Sequence, residues 1–88
     1  MSWGKETARK YTASELEEIL SELDTNEYGT ILRAKGMVAG ESGEWLFFDY
    51  VPGESNVRKG SAQVIGRLCV IGAQLKEEAL KKLFKLEA

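Results

Sequence analysis

The chain has 88 residues, 43% of them hydrophobic and 30% charged, and a formal net charge of −2. That describes one globular domain with a single modest core, since the chain is too short for two. The acidic balance argues against nucleic-acid binding driven by bulk charge, and no apolar run approaches the length of a membrane span.

Two further absences narrow the chemistry. There is no histidine, which removes the commonest general base and the commonest transition-metal ligand together. Cys69 is the one cysteine, so an intrachain disulfide is excluded and a reducing, cytoplasmic setting is expected. No signal-peptide pattern opens the sequence.

In chain order, Ser2 to Lys10 is polar around Trp3 and is expected to be an arm or a short edge strand ending near Tyr11. Thr12-Ala13-Ser14-Glu15 has the spacing of a capping box: the Thr12 hydroxyl accepts from the Glu15 amide, and the Glu15 carboxylate reaches back. Tyr11 and Leu16 sit where a hydrophobic staple would be. Leu16, Ile19, Leu20 and Leu23 then recur at helical spacing, with Glu15, Glu17, Glu18 and Glu22 on the other face. Asp24 to Glu27 ends this helix.

Thr30 to Ala39 alternates imperfectly, placing Leu32, Ala34, Gly36 and Val38 one way and Ile31, Arg33, Lys35 and Met37 the other. Trp45 to Val51 is aromatic and β-branched enough for a strand, and Gly40 and Gly43 bracket a turn. A three-residue loop, Glu41-Ser42-Gly43, sets Lys35 opposite Asp49, Gly36 opposite Phe48 and Met37 opposite Phe47. It gathers Val38, Ala34, Leu46, Phe48 and Tyr50 on one face. A two-residue loop would slip the pairing by one and place Lys35 beside Phe48 and Tyr50, so the longer loop is expected. Pro52-Gly53 stops the second strand.

Glu54 to Ser61 is polar around Val57 and reads as a short strand plus a loop. Val64 to Ile71, closed by Gly72, is apolar on both faces apart from Arg67 and predicts a central strand covered on both sides. From Leu75, the residues Leu75, Ala79, Leu80, Leu83 and Phe84 mark a second helix. Glu77 and Glu78 fall near its start and Lys81, Lys82 and Lys85 near its end, as the helix dipole favours. The expected fold is α+β: an antiparallel sheet of four to five strands, with one N-terminal and one C-terminal helix on one face, in a single domain spanning 1–88.

No catalytic constellation accompanies this frame. The glycines at 36, 40 and 43 are not followed by Lys-Ser or Lys-Thr, no helix begins there, and Glu41 and Glu44 would repel phosphate. Cys69 lies between apolar neighbours and reads as a buried, inert thiol. The glutamates of the first helix read as a solvated face. One group is left over. Arg33, Lys35, Trp45, Phe47 and Asp49 share the sheet face away from the helices. The plain reading is a Lys35–Asp49 ion pair beside partly exposed aromatics. The functional reading, which we favour, is a docking patch, because arginine and aromatics are enriched at interface cores. A third reading, stacking of single-stranded RNA on the aromatics, runs against the acidic balance.

Ile31-Leu32-Arg33-Ala34-Lys35-Gly36, the aromatic strand ending Val51-Pro52-Gly53, and Arg67-Leu68-Cys69-Val70-Ile71-Gly72 before a leucine-rich helix together resemble the C-terminal domain of the CobW family. The likeness runs from about Tyr11 to Phe84. It implies an α+β domain that follows a P-loop GTPase domain in a longer protein, of a kind linked to metal delivery and cobalamin synthesis. GTP, and a divalent metal such as zinc or cobalt, would then belong to the GTPase domain, with no cofactor, metal site or catalytic residue expected here. The implied partners are that covalently linked GTPase domain and a metalloprotein or cobalamin-pathway client, with neither nucleic acid nor membrane. The alternative is a stand-alone small-ligand or RNA-binding module using the same face.

Overall fold

A computed structural model describes residues 1–86. Its elements are β1 (Ser2–Thr7), β2 (Lys10–Tyr11), α1 (Ala13–Glu22), β3 (Thr30–Gly40), β4 (Trp45–Val51), β5 (Glu54–Gly60), β6 (Gly66–Ala73) and α2 (Glu77–Leu83). The strands run β1-β6-β3-β4-β5 in one antiparallel sheet, and the two-residue β2 adds a parallel contact at the end of β3. The α+β class and the two helices on one face are as expected. The sheet has six strands rather than four or five, because Lys10-Tyr11 is too short to show a periodicity.

Thr12 caps α1 by accepting from the Glu15 amide at 3.1 Å, and Tyr11 and Leu16 are both fully buried beside it. The other half of the capping box does not form. The Glu15 carboxylate instead accepts from Arg9 at 3.2 Å and from Lys85 at 2.6 Å, tying the start of α1 to the end of α2. Two cations offer it more than one backbone amide does. Partial burial pushes the Glu15 carboxyl up, but those two hydrogen bonds outweigh it and hold the group below its usual range.

The β3–β4 hairpin has the three-residue loop. Gly40 accepts from the Gly43 amide at 3.2 Å and donates to Glu44 at 2.6 Å, and Gly43 takes φ +93°, the left-handed conformation that closes such a loop. Lys35 pairs with Asp49, Gly36 with Phe48 and Met37 with Phe47. Ala34, Val38, Leu46, Phe48 and Tyr50 all lie in the core.

Leu32 is a correction. It was expected beneath the helices, yet it is exposed, and Ile31 is buried in its place. The β3–β6 register shifts between Ile31 and Arg33, so Leu32 is the extra residue of a bulge and the alternation changes phase there. Gly72 faces Ile31 at this point, where a Cβ would meet the Ile31 Cα at 3.1 Å.

The run Val64 to Ile71 is a second correction. The strand begins only at Gly66, Val64 is fully exposed, and β6 alternates buried and exposed rather than being covered twice. Leu68 and Val70 face the helices, while Arg67, Cys69 and Ile71 look outward. Among the described residues no element lies over that outer face, so apolar residues on both sides did not mean cover on both sides.

The core joins the sheet to both helices. Tyr11, Leu16, Leu20, Val38, Phe48, Val70, Leu80 and Phe84 are fully buried. The Phe84 ring lies 6.3 Å from Phe48 and 6.1 Å from Trp3, distances typical of interacting aromatic pairs. The Tyr11 hydroxyl donates to the Phe84 carbonyl. At the other end of α1, one Asp24 oxygen accepts from the Tyr50 hydroxyl at 2.6 Å and from the Gly53 amide at 2.9 Å.

Two outcomes follow from this packing. A Cβ on Gly36 would lie 2.8 Å from the Phe48 ring, so Gly36→Ala should cost about 1–3 kcal/mol in urea unfolding. The Tyr50 and Gly53 hydrogen bonds hold Asp24 below its ordinary pKa, so its contribution is present above about pH 4 and lost as pH falls through the depressed value. Acid titration of folding should therefore show the wild type losing its advantage over Asp24→Asn below about pH 4. A constant difference between the two at every pH would contradict this.

Candidate docking face

Strand alternation and register build the uncovered face row by row. Gly4, Cys69, Lys35, Asp49 and Asn56 line up across β1, β6, β3, β4 and β5. Two residues along, Glu6, Arg67, Met37, Phe47 and Arg58 form the next row. Trp45 continues it opposite Ala39 and Gly60, and Arg33 lies at the other end opposite Ile71. The sheet thus brings Arg33, Lys35, Trp45, Phe47 and Asp49 onto one face. Trp45, Phe47 and Met37 are half-buried, and the Phe47 ring lies across Gly60, where a Cβ would collide with it.

The electrostatics differ from expectation. Lys35 stands opposite Asp49, but Asp49 takes Arg58 at 2.9 Å and Arg33 at 3.4 Å instead. Diagonal neighbours two residues along lie within reach of long side chains, and two guanidinium groups can divide the two carboxylate oxygens between them. Glu6 pairs with Arg67 at 3.3 Å. Among the described residues no carboxylate lies within 4 Å of the Lys35 ammonium.

These rows enclose an open groove of about 460 Å³. Gly4, Gly36 and Cys69 form its low floor, Met37 and Phe47 an apolar wall, and Lys5, Lys35, Arg58 and Arg67 the cations around it. Cys69 is therefore not a core thiol: it is half-buried in the groove floor, because Leu68 and Val70 hold the positions that face the helices. Sequence reading put Met37 on the same side as Arg33 and Lys35 without counting it in the docking group, and it missed Arg58, Arg67 and Glu6. Arg58 was within reach: taking Pro52-Gly53 as a two-residue turn puts Asn56 opposite Asp49 and Arg58 beside it. Glu6 and Arg67 depend on β1 pairing with β6 across most of the chain, which has no local signal.

Chemically this surface offers cations and partly exposed apolar side chains. Among the described residues no three of His, Cys, Asp or Glu come together to hold a metal ion. The glycines at 36, 40 and 43 lie in a strand and a hairpin turn, so no helix N-terminus meets them to cradle phosphate. Among the described residues no helix is long and apolar enough to cross a membrane. Because the Asp49 pairs are well exposed, Asp49→Ala should change thermal stability by no more than about 1 kcal/mol. A larger loss would make this cluster part of the scaffold rather than a free surface.

The fold is shared with solved GTPase structures. A zinc-bound YjiA GTPase from E. coli superposes with a TM-score of 0.76 at 24% identity, covering 96% of this chain and 28% of that one. A zinc-bound triple mutant of YjiA GTPase gives a TM-score of 0.78 at 22% identity, with the same coverage of both chains. The chain thus spans just over a quarter of the length of either structure. Among curated protein sequences there is no significant match. Residues 1–86 match the family described as the cobalamin synthesis protein CobW C-terminal domain, and the chain belongs to that family.

Proposed function

We propose that this chain is a non-catalytic accessory domain of a CobW-type GTPase concerned with metal delivery or cobalamin biosynthesis. It acts by docking its open sheet face on the GTPase domain or on a client protein. The observation that carries this reading is the face itself. Its five strands are left uncovered by the chain's own helices, and it holds half-buried Trp45 and Phe47 among Arg33, Lys35 and Asp49. Aromatics and arginine set in a rim of charge are the composition of interface cores. The family membership supports the same reading, as does the likeness to just over a quarter of two structures described as GTPases.

On this reading GTP and the divalent metal, zinc or cobalt, are held by the GTPase domain, and the setting is the cytoplasm. This domain would contribute position: it would bring the client and the GTPase domain together while performing no bond-making step.

The test uses the full-length protein. Arg33→Glu together with Phe47→Ala should weaken association with the GTPase domain or with the client by about tenfold or more. The circular dichroism of the domain should stay unchanged, since neither side chain lies in the core. If both associations kept their wild-type affinity, the open face would not be the docking surface.

A further inference from the structure

We propose that the occupant of the groove is an acidic, extended segment of a separate client protein, bound with one carboxylate on Lys35 and one apolar side chain on Met37 and Phe47. This rests on the docking reading above and names the partner's chemistry.

Charge is the first reason. The groove is lined by Lys5, Lys35, Arg58 and Arg67 against Glu6 and Asp49, a net of +2 within a chain whose formal charge is −2. Arg58 and Arg67 already have carboxylates within 3.3 Å, and Lys5 lies on the edge strand β1, so the cation left to meet a partner at the centre of the face is Lys35. A carboxylate arriving there meets an ammonium group that no other acid among the described residues engages. The glutamates of α1, by contrast, lie on the far side of the domain, beyond the core.

Geometry is the second. Lys35 and Met37 are two residues apart on one strand, so their side chains stand about 6–7 Å apart on the same face. An extended segment running along β3 repeats its own side chains at that same spacing, so a carboxylate at one position and an apolar group two residues on would fall on Lys35 and on the Met37–Phe47 wall. Gly4 and Cys69 keep the floor beside Lys35 low enough for a backbone to lie there.

The balance of the face selects a reversible partner and a peptide. Met37, Trp45 and Phe47 are only partly exposed, so the apolar area on offer is smaller than a permanent interface requires. A nucleic-acid strand would also bring anions, but it repeats a phosphate at every nucleotide, and Glu6 and Asp49 lie in the path of such a row.

The experiment titrates the 88-residue chain, isotope-labelled for NMR, with a blocked octapeptide of glutamate and glycine carrying one leucine two residues from a glutamate. The amides of Lys35, Met37, Phe47 and Cys69 should shift saturably, with a Kd no weaker than about 1 mM. Replacing the glutamates of the peptide by glutamine should weaken binding about tenfold, as should Lys35→Gln in a protein whose spectrum stays dispersed. Raising salt from about 50 mM to about 500 mM should weaken it further. Binding that is indifferent to Lys35→Gln and to the glutamine peptide would overturn the proposal. So would a uridine octanucleotide that shifts the same amides at lower concentration than the peptide. If the acidic peptide fails while Arg33→Glu with Phe47→Ala still impairs docking in the full-length protein, the docking face stands and its acidic occupant falls.

Discussion

The centre of the open face depends on one register, that of β3 against β4. Side chains on a strand alternate with a period of two, so a slip of one residue would put Lys35 on the same face as Phe48 and Tyr50, either drawing its ammonium into the core or turning those aromatics out of it. The three-residue turn Glu41-Ser42-Gly43 sets that register, because Gly43 adopts the left-handed conformation that closes it. On its other side β3 is paired with β6, and that separate register places Arg67 and Cys69 beside Met37 and Lys35. A local backbone preference at one glycine is thereby converted into the composition of the middle of the face, Arg33, Lys35, Phe47 and Asp49.

The two sides of the sheet do different physical work. The helix side carries the stability. Phe48, Phe84 and Trp3 lie against one another, Tyr11 reaches the last turn of the chain's second helix, and Asp24 and Glu15 fasten the ends of α1 to the sheet and to α2. The open side carries ion pairs between exposed groups, which contribute little to folding and can be rearranged when a partner arrives. Separating the duties in this way lets a domain of 88 residues keep one well-packed core and still present a charged, partly aromatic surface.

Reading the chain as sequence recovered most of this, with failures that share a cause. The helix stripes, the cap at Thr12, the turn at Gly43 and the pairing of β3 with β4 are all encoded within about a dozen residues, and local encoding is legible. Leu32 was misplaced because a bulge inserts one residue without altering composition, so an apolar residue counts as buried in the pattern while its backbone has changed phase. Val64 and Cys69 were misjudged because hydrophobicity on both faces of β6 was taken as cover on both faces, and cover depends on where the helices land. The Lys35–Asp49 pair was replaced by Arg33 and Arg58 because side-chain reach along diagonals, not facing position, decided which cation took the carboxylate.

What the sequence by itself determined is therefore the kind of domain and its central hairpin: an α+β unit, with no histidine and no disulfide, and with Arg33, Lys35, Trp45, Phe47 and Asp49 on one side of it. Periodicity and turn chemistry act over a few residues, and they suffice for that. Only the tertiary structure decided that β1 closes the far edge beside β6, that Glu6 neutralises Arg67 and Asp49 holds two arginines, and that Lys35 is left without a carboxylate above a low floor of Gly4 and Cys69. Those contacts join residues more than thirty positions apart or lie on diagonals between strands. No local pattern in the chain specifies them, and they arise when the core closes and brings the strands into one sheet.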